Sequence, residues 1–172
     1  GLIIAKMNSL THEEVISALY KASQAGVKVL LNIRGICMLV PGLEGLSENI
    51  KVVSIVDRYL EHSRIFYFQN GGTPELYCSS ADWMNRNLDR RIELMFPILD
   101  KSAFEDVKSI LDTYFVDNTT AMELQSNGSW IPVERGKKED PVRAQEVLYK
   151  KYKALEEKKP NVSEKKFEVR RK

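Results

Sequence analysis

Residues 2–34, with the sequence LIIAKMNSLTHEEVISALYKASQAGVKVLLNIR, decide the fold class of this chain. The largely apolar runs at residues 2–8 and 27–33 predict two strands. Between them, Thr11 and Glu14 form a capping-box pattern, apolar residues follow at helical spacing, and Gly26 is suited to the end of a helix. A strand, a helix and a second strand joined by short links are typical of a parallel sheet covered by helices. This stretch therefore predicts an α/β fold.

The rest of the chain continues the alternation of strands and helices. Asp100 is placed to cap a helix, and Asn127-Gly128 marks a hairpin within residues 121–133. A last helix is predicted from Asp140-Pro141 to about Glu157. Further strands are predicted at 51–56, 65–68, 75–78 and 91–98. We expect residues 1–157 to form one ordered domain.

Composition and charge argue against several classes of protein. The chain has 172 residues, 43% hydrophobic and 29% charged, as in an ordinary globular protein. No apolar run approaches the ~20 residues of a membrane-spanning helix. The net charge of +2 conceals a basic end, because residues 158–172 hold seven basic and two acidic residues. We expect this segment to be a charged, disordered tail. The remaining chain carries a net negative charge, which argues against nucleic acid as a partner.

The two cysteines, Cys37 and Cys78, are isolated from each other and from histidine. Two such residues form neither a metal motif nor a disulfide framework. We expect both to be buried, reduced thiols.

Polar and charged residues gather at the predicted strand ends. Lys6, Asn8 and Arg34 follow or end the first two strands, and functional residues of parallel sheets lie at such carboxyl ends. His62 precedes the strand at 65–68, with Arg64 two residues later on the same side of the chain. A lone histidine beside a strand is more often structural than catalytic. The other histidine, His12, is expected to be exposed and incidental.

Arginine is concentrated around His62. Between residues 34 and 91 there are six arginines and one lysine, although lysines outnumber arginines in the whole chain. A guanidinium fits phosphate oxygens in a bidentate manner, so this bias favours phosphate binding by at least two of these arginines. The alternative is ordinary ion pairing, and we expect one acidic cluster to pair with neighbouring arginines rather than with a metal. That cluster is Asp82, Asp89 and Glu93, beside Arg86, Arg90 and Arg91.

The spacing of His62, Arg64, Ser80 and Asp82 resembles a variant of the phospholipase D superfamily signature. That signature has His-x-Lys and a later Gly-Ser-x-Asn-like turn, so Arg64 and Asp82 are departures from it. The chain also contains longer blocks, which are KMNSL at 6–10, RGIC at 34–37, PGLEGLSENI at 41–50, SIVDRYLEHSR at 54–64, SADWM at 80–84 and NLD at 87–89. Together these blocks resemble the C-terminal region of bacterial polyphosphate kinases. The resemblance extends from Lys6 to about Leu155.

The resemblance implies a phospholipase D-like mixed β-sheet flanked by helices, within a longer enzyme. Such enzymes reversibly transfer the terminal phosphate of ATP to inorganic polyphosphate through a phosphohistidine. The histidine that carries the phosphate belongs to a preceding domain, which we expect this chain to lack, so the fragment alone should be inactive. Arg34, His62 and Arg64 would contact the nucleotide's phosphates, with His62 as general acid or hydrogen-bond donor. Asp82 would support His62 or Arg64.

The resemblance also implies cofactors and partners. Mg²⁺ would arrive with ATP, with its ligands outside this chain, and no metal site is expected within it. The partners would be ATP or ADP, polyphosphate, the upstream domains of the same enzyme and further copies of the chain. The expected location is the cytoplasm, with peripheral membrane association left open. Two alternative functions remain, a phospholipase D-like phosphodiesterase and a non-catalytic module that binds polyanions.

Overall fold

A computed structural model describes residues 1–157, which form one mixed sheet with helices on both faces. The predicted tail at 158–172 lies outside the described residues. The strands are β1 Leu2–Met7, β2 Lys28–Ile33, β3 Ile50–Ser54, β4 Ile65–Phe68, β5 Glu75–Ser79, β6 Met95–Pro97, β7 Met122–Leu124 and β8 Trp130–Pro132. The helices are α1 Glu13–Gln24, α2 Asn85–Leu88, α3 Lys101–Phe115 and α4 Ala144–Glu157. None of these helices is long and apolar enough to cross a bilayer.

The strand order across the sheet is β6-β5-β4-β1-β2-β3-β7-β8. β1, β2 and β3 are mutually parallel, and every other neighbouring pair is antiparallel. The predicted mixed sheet is therefore confirmed. In register, Lys6 of β1 lies between Asn32 of β2 and Ile65 of β4, so these three side chains share one face.

The two faces of the sheet are covered by different helices. On one face, Ile16 and Leu19 of α1 pack against a core that includes Leu31. On the other face, Leu111 of α3 packs against Ile4. α4 lies beside α3, where Ala144, Tyr114, Ile55 and Ala121 form a third buried cluster. α1 and α3 thus bury their apolar stripes against opposite faces of the sheet, as an α/β architecture requires.

α1 begins later than the capping box predicted. His12, not Thr11, occupies the N-cap position, and no side chain caps the helix. The cause is a tertiary contact, because the backbone N–H groups of Thr11 and His12 both donate to the carbonyl of Trp83, at 2.9 and 3.0 Å. The prediction that His12 is exposed is wrong for the same reason: this contact holds it beneath the segment after β5. His12 is 8% exposed, with Nε2 3.3 Å from Asp89 Oδ1.

α4 also begins later than predicted, at Ala144 rather than at Asp140-Pro141. The N–H of Ala144 donates to Asp117 Oδ2 at 2.7 Å, so a residue from another part of the chain satisfies the start of this helix. The predicted strand at 91–98 is reduced to β6. Here Glu93 instead bonds to Ser80 and to Asn87, which draws residues 91–94 toward the preceding loop.

Other local predictions are confirmed. Asp100 caps α3, its side chain accepting from the N–H of Ala103 at 2.8 Å. Gly128 has a φ of 83° in the turn between β7 and β8, a conformation that favours glycine. The two cysteines were expected to be buried, but both are only partly buried, and both are free; burial raises the pKa of the Cys37 thiol to about 11.

Candidate active site

One edge of the sheet collects the candidate residues. β1 and β2 are parallel, so Asn8 and Arg34, which follow these strands, lie at the same edge. β4 is antiparallel to β1, and its amino end therefore brings His62 and Arg64 to this edge. β5 is antiparallel to β4, and the segment that follows β5 brings Asp82 there. Four segments that are distant in sequence thus meet because of strand direction alone.

The residues are joined by a continuous chain of hydrogen bonds. Arg34 donates from Nε to Asn8 Oδ1 at 2.7 Å. Asn8 donates from its backbone N–H to Asp82 Oδ1 at 2.7 Å, and from Nδ2 to the same oxygen at 3.1 Å. Arg64 donates to Asp82 from Nε at 3.2 Å and from Nη2 at 3.0 Å, and its Nη1 lies 3.1 Å from His62 Nδ1. The structure therefore unites all four predicted site residues, with Asn8 as the link.

Asp82 is the centre of this chain. Its side chain is almost fully buried, and burial alone would raise the pKa of its carboxyl. The hydrogen bonds from Arg64 and Asn8 outweigh that effect and lower the pKa below its ordinary value. Asp82 is therefore an anion at neutral pH, with its oxygens occupied by donors. It orients the residues around it and is not available as a general base.

The contact with Arg64 fixes the tautomer of His62. A guanidinium can only donate hydrogen bonds, so the Nδ1 of His62 must accept from Arg64 Nη1. The proton of the neutral imidazole then resides on Nε2. Arg64 Nη1 also donates to the backbone carbonyl of His62 at 3.2 Å. His62 is exposed, so it presents an oriented N–H donor to whatever occupies the edge of the sheet.

Positive and negative groups alternate at this edge. Arg34 and Arg64 are close enough to the buried Lys6 ammonium to lower its pKa, while Glu61 and Asp82 act to raise it. Within residues 1–157, Arg34 uses only its Nε in a hydrogen bond, which leaves its two terminal nitrogens for a ligand. An exposed imidazole N–H and a partly exposed guanidinium fork suit a phosphate group.

A second network supports the site from beneath. Lys6 is completely buried and donates from Nζ to the carbonyls of Glu61 at 2.7 Å and Ser63 at 3.2 Å. The Glu61 carboxylate accepts from the hydroxyl of Tyr114 in α3 and from Nε2 of Gln145 in α4, both at 2.8 Å. Burial lowers the pKa of Lys6 to about 8, although Glu61 acts to raise it. Burial and the Glu61 carboxylate both raise the pKa of Tyr114.

The sequence missed part of this arrangement. Glu61, Tyr114 and Gln145 were not recognised, and the one local signal was that Glu61 directly precedes His62. Lys6 and Asn8, both predicted at the functional strand ends, are buried and hydrogen-bonded within the fold. Lys6 has no exposed surface and Asn8 is 7% exposed, so both stabilise the strand ends rather than line an open ligand path.

The expected pairing of the acidic cluster with its neighbouring arginines is wrong. Asp82 pairs with Arg64, Asp89 lies against His12, and Glu93 bonds to Ser80 and Asn87. Each of these carboxylates therefore bonds to residues other than the neighbouring arginines. Among residues 1–157 there is no group of three or more histidine, cysteine, aspartate or glutamate residues that could hold a metal ion. The described residues therefore do not fit a Mg²⁺ site of their own.

Comparison with known proteins identifies the family. A family model described as polyphosphate kinase C-terminal domain 2 matches residues 1–145. This chain belongs to the polyphosphate kinase family. It is 56% identical over 149 residues to a polyphosphate kinase of Rhodopirellula baltica and 53% identical to one of Pseudomonas aeruginosa, in each case over 87% of this chain. It spans about a fifth of the length of these curated relatives, 18% and 22% respectively.

Solved structures agree with this assignment to polyphosphate kinases. The crystal structure of polyphosphate kinase from Porphyromonas gingivalis superposes with a TM-score of 0.88 at 45% identity, over 92% of this chain and 24% of that one. Two more distant structures share the fold alone. NucT from Helicobacter pylori and the phospholipase D family member Nuc from Salmonella typhimurium both give a TM-score of 0.52, at 14% and 15% identity. The predicted phospholipase D-like fold is confirmed.

Proposed function

We propose that this domain supplies half of the phosphoryl-transfer site of a polyphosphate kinase. The full enzyme would transfer the terminal phosphate of ATP to inorganic polyphosphate and would also run the reverse reaction. The observation that carries this proposal is the hydrogen-bonded chain from Arg34 through Asn8, Asp82 and Arg64 to His62. It presents one oriented imidazole N–H and one guanidinium at a single edge of the sheet.

His62 and Arg34 would act on the transferred phosphate. In the proposed reaction, a histidine of the preceding domain attacks the terminal phosphorus of ATP, forming a P–N bond as the bond to the ADP oxygen breaks. His62 Nε2–H donates a hydrogen bond to that departing oxygen and stabilises its developing charge, because a neutral imidazole with Nδ1 bonded to Arg64 is a hydrogen-bond donor rather than a general acid. Arg34 binds the equatorial oxygens, whose charge is spread in the transition state. The phosphate then passes to the end of polyphosphate, which regenerates the histidine.

Arg64 and Asp82 would keep His62 ready for this role. Arg64 fixes the tautomer with the proton on Nε2, and it contributes positive charge near the phosphates. Asp82 holds Arg64 through two hydrogen bonds and is too enclosed to touch substrate. We therefore assign Asp82 an orienting role.

Mg²⁺ would enter this site bound to ATP, where it neutralises phosphate charge. Because the described residues do not fit a metal site, we expect its protein ligands in the upstream part of the enzyme. The proposed partners are ATP or ADP, polyphosphate, the upstream domains and further copies of the chain. We also propose a cytoplasmic location, on the basis of the family.

The proposal is tested by measuring the rate of polyphosphate synthesis from ATP, with a complete polyphosphate kinase chain that carries this domain. His62→Ala and Arg34→Ala should each lower turnover by a factor of ~100 or more, since each removes a group that meets developing charge. Arg86→Ala, an exposed arginine of α2, is the matched control and should retain activity. The isolated domain should make no polyphosphate. Normal turnover in His62→Ala, or synthesis by the isolated domain, would contradict the proposal.

The alternatives predict other outcomes in the same experiment. A phospholipase D-like phosphodiesterase would hydrolyse a simple phosphodiester model compound and lose that activity in His62→Ala. A binding module would retain polyphosphate, measured by titration, in His62→Ala and would show no transfer. Titration of the isolated domain with ATP and polyphosphate, compared with Arg34→Ala, tests whether the half-site binds phosphate alone.

A further inference from the structure

Lys6 carries its charge at a fully buried position of the sheet. It is the fifth residue of β1, has no exposed surface, and points toward the face covered by α3 and α4. Burying an ammonium group is costly unless it is paired and hydrogen-bonded. An apolar residue would fill the same position without that cost. The contacts of the Nζ atom therefore indicate what the charge does.

The two strongest contacts of Lys6 flank His62. The Nζ donates to the carbonyl of Glu61 at 2.7 Å and to the carbonyl of Ser63 at 3.2 Å, the residues immediately before and after His62. The Glu61 carboxylate lies 4.0 Å from the same Nζ and balances its charge. One atom thus holds the backbone on both sides of an exposed histidine.

We propose that Lys6 is a positioning residue for His62, which fixes the backbone that carries the imidazole by bonding to both neighbouring carbonyls. This inference rests on the proposed role of His62 in phosphoryl transfer. Residues 55–64 connect β3 to β4 without regular structure, so no ladder of strand hydrogen bonds holds them. Because a displacement of ~1 Å can lower a reaction rate ~100-fold, such an anchor has a kinetic consequence.

Glu61 extends the anchor to two helices. Its carboxylate is held by Tyr114 of α3 and Gln145 of α4. Gln145 also accepts from the N–H of Tyr59 and donates to its carbonyl, both at 2.8 Å. The segment before His62 is therefore bonded to the sheet through Lys6 and to both helices through Glu61.

Two variants of the complete enzyme test Lys6. Lys6→Met keeps most of the side-chain volume and removes the donor. Lys6→Met/Glu61→Gln removes both members of the charge pair, so it loses the anchor without leaving an unpaired buried carboxylate. Lys51→Met is the matched control, because Lys51 is a partly exposed lysine of the same sheet that pairs with Glu123.

Both Lys6 variants should lower kcat 10- to 100-fold while the KM for ATP changes less than threefold. Because a smaller folded fraction would also lower the apparent kcat at an unchanged KM, kcat is expressed per folded enzyme, with the folded fraction measured by circular dichroism. The decisive measurement is a double-mutant cycle with His62→Ala. If Lys6 acts through His62, then Lys6→Met should have no further effect on kcat in the His62→Ala background. An equal fractional loss in both backgrounds, or normal kcat in the charge-neutral variant, overturns the inference.

A measurement on the unmutated protein covers the case in which neither variant folds. ¹⁵N NMR of the Lys6 ammonium should show slow exchange with water and hydrogen-bond couplings to the carbonyls of Glu61 and Ser63. A rapidly exchanging ammonium without these couplings refutes the anchor. Failure of the proposed function can be distinguished from failure of the Lys6 anchor, because in the first case the wild-type enzyme itself would make no polyphosphate.

Discussion

Replacing Asp82 by asparagine is the sharpest perturbation of the hydrogen-bonded chain. The side chain keeps its shape, but the carboxylate becomes an amide with one acceptor and one donor group. Oδ1 can still accept from Asn8 and from Arg64 Nε. The new NH₂ group then meets Arg64 Nη2, which lies 3.0 Å from Oδ2 in the wild type. Two donors would face each other where an ion pair had been.

The expected loss of stability follows from the burial of this pair. The side chain of Asp82 is 3% exposed and that of Arg64 is 14% exposed. Removing one partner of a buried pair costs roughly 3–5 kcal/mol, and one charge-assisted hydrogen bond contributes roughly 1.5–3 kcal/mol. Because Arg64 retains some contact with water and one acceptor, we expect Asp82→Asn to lower the free energy of unfolding by about 2–4 kcal/mol.

The assay is urea unfolding of the domain at several pH values. Because the pKa of Asp82 is lowered in the folded state, the unfolded state binds its proton first as the pH falls. The stabilisation from Asp82 is thus fully present above about pH 4 and is lost as the pH falls through the folded-state pKa. The difference between wild type and Asp82→Asn should therefore be constant near neutrality and should shrink below about pH 4.

Asp112→Asn provides the control for this assay. Asp112 forms an exposed salt bridge with Lys108 within α3, and such pairs contribute only ~0.3–0.5 kcal/mol. A stability loss in Asp82→Asn no larger than that in Asp112→Asn would refute the central role of Asp82. A difference from wild type that stayed the same down to pH 3 would refute the ionised pair.

Three further predictions concern other parts of the site. Gly35→Ala should destabilise the domain by ~1–3 kcal/mol and lower turnover, because its Cβ would lie 2.9 Å from the backbone oxygen of Asn8; circular dichroism melts and the polyphosphate assay measure both effects. The Lys6 ammonium should titrate near pH 8 by NMR rather than at its ordinary 10.5. The unfolded chain keeps this proton to a higher pH than the folded chain does, so the Lys6 contribution to the free energy of unfolding should rise as the pH increases from about 8 to 10.5. The double variant Arg64→Lys/Asp82→Asn should retain more turnover than Arg64→Lys or Asp82→Asn alone; less turnover in the double variant would contradict the pairing.

Local patterns in the sequence were sufficient for the elements whose determinants lie within a few residues. The cap of α3 by Asp100, the glycine turn between β7 and β8 and the strand–helix–strand pattern of residues 2–34 are all of this kind. The strand–helix–strand pattern also predicted that Lys6, Asn8 and Arg34 share one edge, because the direction of parallel strands follows from the connections between them. His62 and Asp82 were assigned to the site from the family resemblance instead.

The wrong predictions share a different physical cause. α4 begins where the Asp117 carboxylate accepts a hydrogen bond from the N–H of Ala144. α1 begins just after two backbone N–H groups that donate to the carbonyl of Trp83. The anchor beneath His62 joins Glu61 to Tyr114 and Gln145, 53 and 84 residues away. Such partners are brought together only by the packing of helices and connecting segments on both faces of the sheet, and no local pattern specifies them.

The two departures from the phospholipase D signature are best understood as one change. In place of a lysine at position 64, the guanidinium of Arg64 spans two partners at once: Nε and Nη2 bond to Asp82, while Nη1 bonds to His62. A lysine presents all its donors from a single nitrogen and could not reproduce the two parallel bonds to Asp82 together with a separate bond to His62. In turn, a guanidinium needs a partner that only accepts, and an asparagine at position 82 would present a donor to it. Arg64 and Asp82 therefore suit each other, and together they hold His62 with its proton on Nε2, facing the edge where a phosphate would bind.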